Sequence, residues 1–167
     1  MGRRPLDKNE IPGVGVARLR SISEKSYPKF ESLYHKIFNR DLEAGDVSPR
    51  STLGLITIEK DGEEKPVGVV HYTRQLLKRI TITCDTPAFD YLNTIGILPE
   101  YRGKGITITI LGKLSKELNI LLDVPNEGPV KLYSDIGLKK VYEESDHTVL
   151  SNFPISRKEA EPIIYGY

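Results

Sequence analysis

The stretch that most constrains this chain runs from Pro99 to Leu121. Pro99 has no amide hydrogen to give a sheet ladder, so it stops the apolar segment Tyr91–Leu98. Arg102-Gly103-Lys104-Gly105 follows as a flexible basic turn. Beyond it Ile106, Ile110, Leu114, Leu118 and Leu121 recur at spacings of three and four, with Leu111 in the same stripe and Lys113, Lys116, Glu117 and Asn119 on the other side. That pattern is a helix with one buried face, about four turns long. Local propensity says otherwise, because this helix opens on Ile-Thr-Ile-Thr, and the same four residues occur at 80–83. Alternating β-branched residues favour a strand. Only the second copy continues at helical period, so the spacing predicts a strand at 80–83 and a helix over 105–118.

The remaining segments supply a sheet around that helix. Residues 1–12 read as a loose tail, and 13–167 as one domain of ordinary size. Val14–Arg20 alternates as a first strand. Phe30, Leu33, Tyr34, Ile37 and Phe38 form an apolar stripe that makes 27–38 a helix, with Ser23 placed to cap it. Asp41–Ser51 is a polar loop with room for a short helical turn. Leu53–Ile58 and Val67–Thr73 read as a hairpin joined through Asp61-Gly62 and Glu63-Glu64-Lys65, followed by a basic link, Arg74–Arg79. Tyr91–Leu98 and Leu121–Val124 are further strands. Val130, Leu132, Tyr133 and Ile136 mark a short helix ending at Gly137, and Leu138–Glu143 with His147–Phe153 form a closing hairpin. The segment 159–167 carries no assignment.

Composition removes several classes of function. Twenty-four Lys and Arg against 23 Asp and Glu leave a formal charge of +1, without the basic excess of a nucleic-acid-binding face. No apolar run approaches the roughly 20 residues of a membrane helix, and no apolar segment follows the basic N-terminus as a signal peptide requires. A lone cysteine, Cys84, forms no internal disulfide and no multi-thiolate zinc site. These features together suggest a cytoplasmic protein, and no Ser-His-Asp or metal-ligand constellation emerges.

A strand, a glycine turn and a helix start make an anion site. The first amides of a helix lack internal partners, and the helix dipole adds partial positive charge there. Gly103 and Gly105 allow close backbone approach, and Arg102 and Lys104 add full charges, so the ligand should carry phosphates. A P-loop is excluded because Gly103-Lys104 is followed by Gly105 rather than Ser or Thr. The dinucleotide fingerprint is excluded because its third glycine position holds Ile108 and the preceding strands are antiparallel.

The segment Arg102-Gly103-Lys104-Gly105-Ile106-Thr107 resembles the Arg/Gln-x-x-Gly-x-Gly/Ala signature of the GNAT N-acetyltransferases. A second block, Asn126-Glu-Gly-Pro-Val-Lys-Leu132-Tyr133-Ser-Asp-Ile-Gly137-Leu138, resembles that family's Asn-x-x-Ala-x-x-Leu-Tyr-x-x-x-Gly-Phe. The likeness covers about residues 14–153. Thr107, Pro129 and Leu138 depart from the usual Gly or Ala, Ala and Phe. The resemblance implies an α/β fold: a mixed, mostly antiparallel sheet with helices on both faces. The sheet would be splayed between the family's fourth and fifth strands, at Ile97–Leu98 and Leu121–Val124. It implies acetyl transfer from acetyl-CoA to a primary amine of a small molecule or peptide, by direct attack. The pantetheine arm would lie along the backbone near Ile95, Ile97 and Leu98. The pyrophosphate would rest on the amides of Arg102, Gly103, Lys104, Gly105, Ile106 and Thr107.

Tyr133 is then expected to protonate the departing thiolate, since a phenol of pKa about 10 stays protonated beside a thiol of about 8.5. Asn126 is expected to fix the cofactor or a bridging water. Each residue also has a plainer reading, Tyr133 as a core tyrosine and Asn126 as a loop residue that satisfies backbone groups. The slot where some members carry a catalytic Glu holds Tyr91. Asp90 points to the opposite face of a regular strand, and Asn93 cannot act as a base. A water relay, His71 or His35 remain as sources of a base. The missing carboxylate keeps open a second function, a non-catalytic acyl-CoA sensor or interaction module. The acceptor groove would be lined by Tyr27–Phe38, Asp41–Ser51 and 142–153, whose mixed charges favour no particular amine. His147 reads as solvated, and a free strand edge near the C-terminus is compatible with a homodimer.

Overall fold

The computed structural model describes residues 9–76, 88–126 and 128–165. The strand expected at 80–83, Cys84 and the first eight residues lie outside them. Eight strands form one sheet in the order β1-β2-β3-β4-β5-β6-β8-β7. They are β1 (Glu10–Ile11), β2 (Gly15–Ser21), β3 (Ser51–Lys60), β4 (Glu63–Leu76), β5 (Ala88–Ile97), β6 (Ile120–Pro125), β7 (Lys139–Glu143) and β8 (His147–Ser151). Helices α1 (Tyr27–Phe38), α2 (Ile106–Glu117), α3 (Val130–Asp135) and α4 (Arg157–Tyr165) flank the sheet. The pairs β1–β2, β2–β3, β6–β8 and β7–β8 are antiparallel, whereas β5 and β6 run parallel and pair at Asp90↔Ile120 and Tyr91↔Leu121. Among the described residues no helix is long and apolar enough to cross a membrane. The mostly antiparallel α/β class expected from the sequence is the observed one.

The chain divides into two compact units, Met1–His71 with Thr94–Ile110 and Tyr72–Asn93 with Leu111–Tyr167. In the first, the α1 stripe buries Phe30, Leu33 and Tyr34 against Leu55 and Val69, with Ile37, Phe38 and Leu98 packed around them. Burial of such side chains contributes roughly 1.5–3 kcal/mol each, which is what holds this helix in place. The cap position is Ser26 rather than Ser23 and carries no side-chain cap; the Ser23 carbonyl accepts from the amides of Ser26 and Tyr27 in the turn before the helix. The hairpin is tighter than expected. Asp61 and Gly62 both have positive φ, 54° and 78°, so two residues close it, and Glu63-Glu64-Lys65 belong to β4 rather than to the connection. Glu10 and Ile11, expected in the loose tail, pair with Val16 and Gly15 as β1.

The second unit packs Phe89, Leu121, Tyr142, Val149 and Phe153 around Ala160 of α4. This last helix was not expected. Its start is a capping box, in which the Ser156 amide donates to Glu159 Oε1 and the Glu159 amide to Ser156 Oγ. Helix α3 ends as foreseen at Gly137. Leu138 donates to the Tyr133 carbonyl and Gly137 to that of Ser134, the bond pair of a Schellman close.

Candidate functional site

Helix α2 settles the two Ile-Thr-Ile-Thr copies. Ile106, Ile110, Leu111 and Leu114 are each at most 3% exposed. Their burial, at roughly 1.5–3 kcal/mol apiece, outweighs helix penalties under about 1 kcal/mol for each Ile or Thr. Thr109 turns its hydroxyl back onto the Gly105 carbonyl at 2.7 Å, which removes a competitor for the first turn.

The turn before α2 is built for an anion. Pro99–Tyr101 forms one 3-10 turn, with the Tyr101 amide donating to the Leu98 carbonyl and the Arg102 amide to that of Pro99. Arg102 then folds back, and its Nε donates to the Ile97 carbonyl at 3.0 Å. This bond fastens the turn to the end of β5 while the rest of the guanidinium stays exposed. Gly103 and Gly105 stand at φ 74° and 81°, and a Cβ at either would meet nothing within 4 Å. Glycine is needed for the left-handed backbone, not for want of space. Among the described residues the amides of Gly103 through Ile108 donate to no backbone acceptor, and the first helical bond is Thr109 to Gly105. Six free donors at a helix start, flanked by Arg102 and Lys104, suit a diphosphate.

The other expected contacts lie close in sequence to this turn. Ile97 is buried, and its carbonyl serves Arg102. The Leu98 amide donates to the Val67 carbonyl at 2.8 Å, so that donor is already used inside the protein. Thr107 is half-buried in the first turn of α2.

The second unit carries Tyr133 and Asn126. Tyr133 on α3 is 7% exposed, and burial pushes its phenol above the ordinary value. It therefore stays protonated through neutral pH, as a proton donor must. Asn126 is heavily engaged. Its Nδ2 donates to the Glu144 carbonyl, its Oδ1 accepts from the Thr148 hydroxyl, and its amide donates to the Asp146 carbonyl. These bonds show a residue that pins its loop to the start of β8.

The residues considered as bases fare unevenly. His35 is exposed and paired with Asp41. His71 is 3% exposed and bonded through Nε2 to the Ser51 hydroxyl, and burial lowers its pKa against the opposing pull of Asp46. Asp90 is buried in an ion pair with Arg74, and Asn93 accepts from the Thr73 hydroxyl. His147 is not solvated as expected. Its side chain is 16% exposed, with Nδ1 on Asp146 and Nε2 on the Tyr165 hydroxyl, and its ring edges toward Tyr142. Sequence reading missed Asp123 of β6, whose Oδ1 is buried without a hydrogen-bond partner among the described residues. A strand acid beside Pro125 gives no sign of that in sequence, because the neighbours that matter come from other strands.

No protein-family model matches the chain, and no curated protein matches it by sequence. Solved structures do match. The NAA60 protein of Arabidopsis thaliana, in complex with acetyl-CoA, is 16% identical at a TM-score of 0.63, covering 83% of this chain and 100% of that one. The ribosomal-protein-S18-alanine N-acetyltransferase of Escherichia coli is 15% identical at 0.56, covering 84% and 95%. A putative GNAT-family acetyltransferase of Bacteroides thetaiotaomicron is 16% identical at 0.55, covering 89% and 94%. An open, mostly antiparallel sheet, a glycine turn before α2 and these likenesses across most of the chain converge on one architecture: the protein has the GNAT acetyltransferase fold.

Proposed function

We propose that the chain is an N-acetyltransferase, a single domain over residues 13–167 that moves an acetyl group from acetyl-CoA to a primary amine by direct attack. The observation that carries this reading is the Leu98–Ile106 turn, with left-handed glycines at 103 and 105 and free amides from Gly103 to Ile108. Acetyl-CoA supplies an activated acetyl thioester. The amides and the Arg102 and Lys104 charges hold its diphosphate, and the Arg102–Ile97 bond keeps the turn in shape without the ligand. Tyr133, held protonated by burial, donates to the sulfur as the thiolate leaves. Asn126 acts by fixing its loop. The acceptor is a small-molecule or peptide amine.

The test is incubation with acetyl-CoA and a panel comprising a polyamine, a lysine peptide and a peptide with a free N-terminus. Free thiol and acetylated product are measured together. The reading expects thiol release matched one-to-one by an acetylated amine. Acetyl-CoA binding without transfer to any amine in the panel would refute the enzyme reading and leave a binding module.

A further inference from the structure

The β3–β4 hairpin, the β1–β2 turn and the glycine turn border one cleft of about 410 Å³. All of its walls belong to the first compact unit. Val16 pairs with Glu59, which sets Gly13 and Val14 beside the Lys60–Asp61 end of the hairpin. The Leu98 amide donates to the Val67 carbonyl, so the turn that follows, with Tyr101 and Lys104, begins beside β4. Strand alternation puts Ile58 and Lys60 on one face of β3, and Glu63 and Lys65 on one face of β4, and all four line the cleft.

The chemistry of the walls is mixed in a particular way. Lys60, Lys65 and Lys104 reach it from three separate segments, and all three are exposed. Among the described residues Lys60 and Lys104 make no ion pair. Lys65 meets Glu63 at 3.9 Å, an exposed pair of little weight. Three ammonium groups thus stand ready for an anion. Asp61 and Glu63 accept hydrogen bonds and donate none, which suits hydroxyl groups and repels a long chain of phosphates. Ile58 is buried, and Val14 and Tyr101 are half-buried, so the cleft also offers apolar and aromatic surface for a flat ring. Clefts that hold small organic ligands run about 300–1,000 Å³, so there is room for more than an inorganic ion.

We infer that this cleft binds a nucleoside phosphomonoester, with its phosphate on Lys60, Lys65 and Lys104 and its sugar hydroxyls on Asp61 and Glu63. Two sources carry that chemistry. One is acetyl-CoA itself, whose 3′-phosphoadenosine end is joined to the diphosphate assigned to the Gly103–Ile108 amides, and this source rests on the transferase reading. The other is a free nucleotide, which does not depend on that reading. Lys104 belongs to both the turn and the cleft, so a phosphate in the cleft changes the charge the turn can offer.

The test is calorimetric titration of the full chain with acetyl-CoA, acetyl-3′-dephospho-CoA and adenosine 3′-monophosphate. If the phosphate is that of acetyl-CoA, the dephospho form should bind at least about tenfold more weakly, because charge-assisted contacts to phosphate are lost. Adenosine 3′-monophosphate should then be displaced by acetyl-CoA. If the ligand is a free nucleotide, both CoA forms should bind alike, and adenosine 3′-monophosphate should bind the chain already loaded with acetyl-CoA. In either case the double variant Lys60→Ala, Lys65→Ala should remove the effect. Lys29→Ala, an equal loss of charge on exposed α1, should leave it intact. Equal binding of the two CoA forms, with nucleotide binding absent or indifferent to the two lysines, would overturn the inference and leave the transferase reading standing. No binding of acetyl-CoA would overturn the transferase reading, while lysine-dependent binding of the nucleotide would still support the cleft. Backbone amide shifts of the unaltered chain give a check that needs no variant. Adenosine 3′-monophosphate should move the amides of Asp61–Lys65 and Tyr101–Lys104, and shifts confined to other segments would refute the assignment.

Discussion

Gly105→Ala separates the backbone requirement of the turn from its ligand requirement. Gly105 sits at φ 81° with open space where a Cβ would go, so alanine meets no clash. The cost is conformational. The left-handed region costs a non-glycine residue about 1–2 kcal/mol, and the narrower unfolded ensemble of alanine returns about 0.4–1 kcal/mol. A net loss of about 1 kcal/mol should lower Tm by roughly 2–4 °C in a chain of this length. Gly62, at φ 78° and equally open, carries the same backbone cost in the β3–β4 hairpin, outside the Gly103–Ile108 run of amides. Gly62→Ala should therefore lose the same stability. The two part when acetyl-CoA is added. At about one hundred times Kd the ligand adds roughly 2.7 kcal/mol, and a tenfold weaker complex adds about 1.4. Thermal shift should show Gly105→Ala with about half the ligand-induced increment of Gly62→Ala. Equal increments would refute the claim that the Gly103–Ile108 amides hold the diphosphate.

Other outcomes follow from named contacts. Asn152 donates to the Ser115 and Leu118 carbonyls at the end of α2 and accepts from the Ile120 amide, so Asn152→Ala strands three partners. It should cost roughly 2–4 kcal/mol, read as a lower denaturant midpoint with unchanged slope. Glu64 is bonded first by Arg20 and then by the Thr57 hydroxyl, which hold its pKa down from 4.5 to about 2. A depressed carboxylate stabilises the fold above its unfolded value and loses that contribution as pH falls toward the folded one. Melting curves of Glu64→Gln should therefore lie below the parent near neutral pH and converge with it between pH 4.5 and 2. Because Glu64 and Arg20 are substantially exposed, the gap should be small and shrink in salt. Tyr133→Phe should reduce turnover with little change in acetyl-CoA binding, whereas a purely structural tyrosine would change stability alone.

The fold was legible wherever one hydrophobic period ran long enough. The α1 stripe and the α2 stripe marked both helices to within a residue, and the latter overruled the strand propensity of Ile106–Thr109. The turn at 102–105 was legible because glycine and charge chemistry act locally. Elements that depend on short or conflicting signals were not. Helix α4 announces itself by the Ser156-x-x-Glu159 box, but Pro162 and a short stripe of Ala160, Ile163 and Ile164 obscure it. Charged residues at 63–65 looked like a loop, yet the positive φ at Asp61 and Gly62 closes the hairpin before them. Asp123 drew no attention and His147 read as solvated because their surroundings are assembled from β5, β7, β8 and α4, far apart in sequence. Long-range assembly, not local preference, decides what such groups do.

The measurement closest to the central claim is thermal unfolding of the full chain with acetyl-CoA and, in parallel, with ATP at the same concentration. The account predicts a clear rise with acetyl-CoA, roughly 2.7 kcal/mol at about one hundred times Kd, and no comparable rise with ATP. No rise at millimolar acetyl-CoA, or an equal rise with ATP, would contradict it.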